Sequence, residues 1–360
     1  MKPLGPAALP LSLLYALGAG LFRLGYESGI LERKSFKIPV LSVGNIEVGG
    51  AGKTPLVLSL CRYLLALGKR PGIVSRGYGR RDPSRDLFVC RGQGALVSPE
   101  ESGDEAALYA MRHPEIPVVV ARDRRRGVAM MEGLCEIVLL DDGFQSLEVR
   151  PAASLVFLPA FLAERPPGLS DLLPAGPLRE PAGSLSRATH WVMTSAGDPD
   201  RDRKREERVR HHLLEILTPE DLRPILFQRF LLSEVRDLSG DRICRPEELS
   251  GRRVAVVAGI ANPERVEGSL RSLGAEVVGM LALPDHVSCT PPVLSRIGLF
   301  AGQMKGQGAT LLLTTEKDRV KWRNSPAGDL PVGVLKGEAE LMEKEKWEEL
   351  LSALLGGVRN

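Results

Sequence analysis

Residues 43–55 read Val43-Gly44-Asn45-Ile46-Glu47-Val48-Gly49-Gly50-Ala51-Gly52-Lys53-Thr54-Pro55, between a short apolar run and an apolar helical stretch. The chemistry of that spacing is phosphate binding. Glycines let backbone N–H groups converge on phosphate oxygens, and the helix N-terminus that follows adds its dipole. Val48, Gly49, Gly50, Ala51, Gly52, Lys53, Thr54 and Pro55 are therefore the candidate nucleotide loop. Lys53 is placed to reach the β/γ-phosphates, and the Thr54 hydroxyl can ligate Mg²⁺. Glu47 stands where the usual pattern has its first glycine, yet a strand, the glycines and Gly-Lys-Thr together still specify the motif.

A second element carries carboxylates. The apolar run 137–140 ends in Asp141-Asp142-Gly143-Phe144-Gln145, delivering two acids at the carboxyl end of a strand, where open parallel sheets bind ligands. Mg²⁺ prefers hard oxygens, so Thr54 plus one of these aspartates makes a chemically sensible set. Side chains alternate along a strand, so Asp141 and Asp142 need not point the same way. Asp104 precedes the helical run 106–111 and reads equally as a helix N-cap or a catalytic carboxylate. His286 is one of five histidines and by itself reads as a loop or capping residue. The basic loops 76–81 and 122–126 suit anionic groups or a solvated charge cluster.

The elements that must position these groups alternate. Short apolar runs at 38–43, 72–75, 117–121, 137–140, 154–158 and 191–194 predict parallel strands covered on both faces. A second rhythm follows at 253–258, 276–281, 310–314 and 331–335, after a β-rich stretch at 225–232. The expected fold is α/β: a P-loop NTPase-like parallel sheet with helices on both faces, a second smaller α/β domain and an N-terminal apolar helix. The domains expected are 1–34 for that helix, 35–224 for the P-loop unit, 225–241 as a β-rich linker and 242–360 for the C-terminal unit. Charge-dense 198–212 predicts a solvated helix.

Composition narrows the rest. The chain has 360 residues, 43% hydrophobic and 26% charged, which excludes disordered, collagen-like and polytopic membrane classes. The net charge of +3 and 5% aromatic content give no reason to expect a nucleic-acid partner. Five scattered cysteines without a CxxC pair suggest neither zinc nor disulfides, and fit a reducing compartment. Residues 3–22 carry no charge, and a helix can run from about Pro10, with Leu11, Leu14, Leu17, Leu21 and Leu24 at helical spacing. That length suits a membrane-surface anchor better than a full span, with packing on the protein's own core or, since Lys2 precedes the apolar run, a secretory signal as rivals; the nucleotide motif argues against export.

Taken together, 42–55, Ser75-Arg76-Gly77-Tyr78-Gly79, Gly103-Asp104-Glu105, Asp141-Asp142-Gly143-Phe144-Gln145 and the block 173–181 resemble the tetraacyldisaccharide 4'-kinase family of lipid A biosynthesis. Gly259-Ile260-Ala261-Asn262-Pro263-Glu264-Arg265, Asp285-His286 and Thr314-Thr315-Glu316-Lys317-Asp318 extend the likeness in order over nearly the whole chain. The resemblance implies a membrane-associated kinase moving the γ-phosphate of ATP to the 4'-hydroxyl of a tetraacylated glucosamine disaccharide 1-phosphate, at the cytoplasmic face of a bacterial inner membrane. It implies Asp104 as the base assisted by His286, and Lys53, Thr54, Asp142 and Glu180 serving ATP and Mg²⁺. The expected partners are the lipid substrate and a membrane surface, with no protein partner. Ser146 and Ala106 depart from the family's usual histidine and proline. The competing classes are a P-loop GTPase or metallochaperone-like switch and a nucleotide-binding membrane adaptor; in Thr315-Glu316-Lys317-Asp318 the spacing needed for guanine recognition fails.

Overall fold

The computed structural model describes residues 4–285, 287–322 and 325–356. Its strands are β1 (Val40–Asn45), β2 (Pro71–Ser75), β3 (Leu87–Arg91), β4 (Pro117–Val120), β5 (Ile137–Asp141), β6 (Ala153–Phe157), β7 (His190–Thr194), β8 (Ile225–Arg236), β9 (Arg242–Cys244), β10 (Arg253–Ala258), β11 (Glu276–Ala282), β12 (Leu311–Thr315) and β13 (Val332–Leu341). The helices are α1 (Leu9–Glu27), α2 (Lys53–Ala66), α3 (Pro99–Ser102), α4 (Asp104–Arg112), α5 (Arg124–Ala129), α6 (Pro199–Leu213), α7 (Pro263–Ser272), α8 (Pro291–Gly306), α9 (Glu316–Arg319) and α10 (Lys344–Gly356).

All thirteen strands join one sheet in the order β11-β10-β12-β13-β8-β7-β6-β1-β5-β2-β4-β3, with β9 on β8. Pairing is parallel except at the β3 edge, at β9 and between β8 and β13. The two expected rhythms are therefore one mixed sheet. The stretch read as a linker is the twelve-residue strand β8. Its first residues, Ile225 to Gln228, pair with β7, and its later ones pair antiparallel with β13, whose register runs from Gln228↔Leu341 to Arg236↔Val334. Strand β3 was not expected; its five residues carry only a short apolar signal and end at Arg91.

Alternation along the strands sorts the core into layers. Leu41, Val43 and Leu139 face α2, α4 and α10, while Val40, Val138 and Leu140 face the α5 side. Helix α10, far along the chain, buries Trp347, Leu350, Leu351 and Leu354 among residues of α2 and β1. Each such side chain contributes about 1.5–3 kcal/mol of burial, so the C-terminal segment is held on the first half. Helix α2 begins at Gly52, whose φ of +95° favours glycine, and accepts Pro55 in its first turn. It ends where Gly68, at φ +70°, lets the Gly68 and Lys69 N–H groups donate to Leu65 and Leu64 carbonyls at 2.9 Å each.

Helix α1 is different. Leu11, Leu14, Leu17, Leu21, Phe22 and Leu24 are exposed, and α1 is, among the described residues, the one helix long and apolar enough to cross a membrane. Its one buried residue is Ser12, whose hydroxyl donates to Leu172 O (3.0 Å) and accepts from Ala175 N–H (3.1 Å). Tyr15 donates to Arg179 O at 2.8 Å. The apolar face is thus turned away from the protein, against the packed-core rival.

Candidate active site

The nucleotide loop leaves the carboxyl end of β1, the strand between β5 and β6. Gly44 is needed there, because a Cβ would lie 2.6 Å from Phe144 Cβ. Lys53 opens α2 and turns back across the loop: its ammonium donates to Asn45 Oδ1 at 2.8 Å and lies 3.1 Å from Asp142 Oδ1. Asn45 Nδ2 in turn donates to Glu47 O at 2.8 Å. The loop is also strapped from outside by residues 172–180. Val48 N–H donates to Pro177 O (2.8 Å), and Arg179 N–H to Ile46 O (2.7 Å).

The two aspartates part ways as strand geometry anticipates. Asp141 ends β5 fully inside, accepting from Ser75 Oγ at 3.1 Å. Burial and the neighbouring Asp142 charge push its pKa up to about 6. Asp142 has a left-handed φ of +49°, a conformation that non-glycine residues adopt at a cost. That turn aims it at the loop, between Lys53 and Arg179 Nη1 (2.9 Å). Burial opposes ionisation, but Lys53 and Arg179 outweigh it and hold the pKa down at about 2. Glu180 accepts from Gln145 Nε2 at 2.9 Å and pairs with Arg187 at 2.8 Å; Gln145 also donates to Asn45 O. Lys53, Asp142 and Glu180 thus belong to one connected polar network, with Thr54 beside Lys53 on α2.

Asp104 lies on the same face of the sheet as α2, against which α4 packs. It is the first residue of α4, and the N-cap is Gly103, so Asp104 does not fill the capping role open to it in sequence. Gly77 and Gly103 explain how two separate blocks meet. A Cβ on Gly103 would fall 2.7 Å from Tyr78 O, and one on Gly77 2.6 Å from Ser102 O. The Asp104 carboxylate lies 3.2 Å from the Lys321 ammonium, which is also 3.4 Å from Asp318. Next to it, Lys317 bridges Glu105 (2.8 Å) and Asp285 (2.9 Å). At the far end of α4, Arg112 donates to Glu316 at 2.6 Å. His286, the expected helper of Asp104, lies outside the described residues. Asp285 immediately precedes it.

The blocks of the second half also reach the nucleotide loop. A Cβ on Gly50 would touch Ala261 Cβ at 3.6 Å, and Arg265 acts with Lys53 and Arg179 to draw down the Glu47 pKa that burial raises. The basic loops resolve into structural and electrostatic roles. Arg80 is buried and donates to the Pro83 and Arg85 carbonyls. Arg124 is buried and donates to Ala121 O, its pKa pushed down to about 10 by burial against the opposing pull of Asp141 and Asp142. Arg179, Gln145, Lys317 and Lys321 were not among the site residues chosen from sequence. Gln145 and Lys317 lie inside the blocks 141–145 and 314–318 that carry the likeness, which was the available signal for those two.

Residues 5–356 match the family described as LpxK, tetraacyldisaccharide-1-P 4'-kinase. The chain belongs to that family. It is 36% identical to the tetraacyldisaccharide 4'-kinase of Syntrophotalea carbinolica, covering 98% of this chain and 92% of the relative. The corresponding protein of Syntrophus aciditrophicus is 33% identical over 98% of this chain and 95% of its own length. A crystal structure of "apo" form LpxK from Aquifex aeolicus in complex with ATP superposes with a TM-score of 0.72 at 29% identity, covering 97% and 98% of the two chains. The protein is therefore a kinase of lipid A biosynthesis that phosphorylates the 4'-hydroxyl of a tetraacyldisaccharide 1-phosphate. The switch and adaptor alternatives are set aside.

Proposed function

We propose that the kinase carries out its transfer with ATP and Mg²⁺ at the network around Lys53, using Asp104 as the base, while α1 rests on the cytoplasmic face of the inner membrane. The observation that supports this reading is that Glu105, next to Asp104 on α4, acts electrostatically on Asp141, the neighbour of Asp142 in the Lys53–Asp142–Arg179 cluster. The β- and γ-phosphates fit the amides of residues 48–54, with Lys53 and the α2 dipole opposing the charge that builds on the transferred group.

The residues fit a hard divalent cation. Thr54, Asp142 and Glu180 offer a hydroxyl and two carboxylates, and Asp142 Oδ1 is buried without a hydrogen-bond donor of good geometry although Lys53 is near. Mg²⁺ uses few protein ligands and completes its shell with phosphate oxygens and water, so Thr54, Asp142 and Glu180 would hold it. When bound it would neutralise charge on the phosphate oxygens. Lys53 and Arg179 keep Asp142 ionised for that role.

In the chemical step Asp104 takes the proton of the sugar 4'-hydroxyl as the oxygen attacks the γ-phosphorus and the bond to ADP breaks. His286, next to Asp285, would orient Asp104 or share its proton. The exposed leucines of α1 would bring this site to the surface where an acylated substrate resides. The decisive experiment incubates the full chain with γ-labelled ATP, Mg²⁺ and the detergent-dispersed disaccharide 1-phosphate. Label in a bis-phosphorylated lipid, lost when Mg²⁺ is chelated, supports the reading; label only in inorganic phosphate refutes it.

A further inference from the structure

The Asp104 side of the site contains a cation and a second carboxylate that the reaction as described leaves unused. Lys321 lies just beyond α9, and its side chain is 8% exposed. Its ammonium stands between Asp104 Oδ2 at 3.2 Å and Asp318 Oδ1 at 3.4 Å. Asp318 is itself 2% exposed and firmly held: Gly259 N–H donates to its Oδ2 at 2.9 Å and Thr315 Oγ1 donates to the same oxygen at 2.7 Å. A Cβ on Gly259 would fall 2.7 Å from Asp318 Oδ1, so the glycine that opens the block 259–265 is what allows this approach. Two sequence blocks of the second half, 259–265 and 314–318, therefore converge on one buried lysine and aim it at Asp104.

We infer that Lys321 is a positioning residue for the phosphoryl transfer, holding the Asp104 carboxylate toward the acceptor, and that Asp318 is the counter-charge that keeps Lys321 in place through the proton transfer. The inference rests on Asp104 being the base. Before the step, two carboxylates share one ammonium. During it, the hydroxyl proton moves to Asp104, the new O–P bond forms, and ADP leaves with the electron pair of the broken P–O bond. Asp104 is then neutral, and a lone buried ammonium would be left without compensation; Asp318, which takes no proton, keeps it paired. The arrangement also joins the halves of the chain, because Asp104 opens α4 in the first half while Lys321 and Asp318 belong to the second. Among the described residues beside this point, Lys317 pairs with both Glu105 and Asp285.

The test is a kinetic double-mutant cycle on the full chain in detergent with Lys321→Met and Asp104→Asn. Lys321→Met should lower kcat roughly 10- to 100-fold with the KM for ATP within about twofold, since the nucleotide cluster is untouched. Lys321→Arg, which keeps the charge, should recover part of that loss. In the Asp104→Asn background, Lys321→Met should cost nothing further, because there is no carboxylate left to position. An equal loss of kcat in both backgrounds would mean that Lys321 only glues the halves together, and the inference falls. Wild-type kcat in Lys321→Met beside an inactive Asp104→Asn would also overturn it while leaving the base intact. Wild-type kcat in Asp104→Asn would bring down the base assignment first, and the positioning role with it. Should Lys321→Met fail to fold, Lys321→Gln carries the same cycle, with the same outcomes deciding it; loss of ATP binding by a folded variant would overturn the inference.

Discussion

The two sides of the site are built on different plans. Around Lys53, Asp142 and Glu180 the ion pairs and hydrogen bonds join residues of the first half of the chain: Lys53 with Asn45 and Asp142, Arg179 with Asp142, Gln145 and Arg187 with Glu180. Around Asp104 the links run from one half to the other: Asp104 to Lys321, Glu105 to Lys317, Arg112 to Glu316. The first plan gives a phosphate site whose geometry is set by one packed core. The second ties Asp104, the proposed base, to the seating of α4 against α9, so substitutions there should separate catalysis from nucleotide binding.

The largest expected effect breaks the first side. Lys53→Ala removes the charge aimed at the β/γ-phosphates and should abolish transfer, measured as label reaching the lipid, while the circular dichroism spectrum stays unchanged because Arg179 still pairs with Asp142. Measurable turnover near wild type would show that the loop does not carry the phosphates. On the other side, Asp104→Ala should lower kcat by about 10²- to 10⁴-fold with ATP affinity retained. His286→Ala should cost less alone, and the double variant should be little worse than Asp104→Ala. Losses that multiply fully would separate the two residues.

That asymmetry also marks what could be read from the sequence. The nucleotide loop is contiguous, so residues 48–55 carry their own geometry: glycines, then a lysine at the start of a helix. Most strands were readable for a similar reason, since a buried parallel strand is a continuous apolar run. Strand β3 was not, being a short edge strand that ends in Arg91. The Asp104 side is assembled from several distant segments, and only the likeness to a family brought Asp104 and His286 together in advance. Lys321 and Arg179 carry no local mark of function; what makes them important is an ion pair across 217 and 37 residues, respectively, from Lys321 to Asp104 and from Arg179 to Asp142. The single sheet was hidden for the same reason, because the pairing of β8 with β13 is a long-range event that neither strand announces.

A third region sharpens the contrast. Leu14 and Leu17 on α1 are 67% and 61% exposed, whereas Ser12 and Tyr15 fasten the helix to the strap that carries Arg179. Leu14→Glu with Leu17→Glu should therefore weaken binding to vesicles and raise the apparent KM for the lipid by about tenfold, with the KM for ATP and kcat nearly unchanged. Flotation with phospholipid vesicles and initial rates at varied lipid check it. Equal flotation of both forms would mean that the exposed leucines do not meet the bilayer.

The smallest effect lies within one dipeptide, where the comparison can be made between neighbouring carboxylates. Asp141, pushed up to about 6 by burial and the Asp142 charge, keeps its proton in the folded chain between its ordinary value of 3.8 and about 6, where the unfolded chain has released it. Stability contributed by Asp141 is thus present below pH 3.8 and falls as pH rises to about 6. Asp142, held down at about 2 by Lys53 and Arg179 against the opposing effect of burial, has the opposite sign. Its contribution is full above its ordinary 3.8 and is lost as pH falls toward 2. Urea melts of the nucleotide-free chain should show Asp141→Asn gaining on the wild type between pH 4 and 6, by an amount on the order of 1–3 kcal/mol. Asp142→Asn should instead lose ground between pH 2 and 4. The Asn Oδ1 can still accept from Ser75 Oγ, so the slope with pH decides the comparison. Parallel pH profiles for both variants would mean that Asp141 and Asp142 share one environment, and that the turn at Asp142 does not divide a buried acid from a paired one.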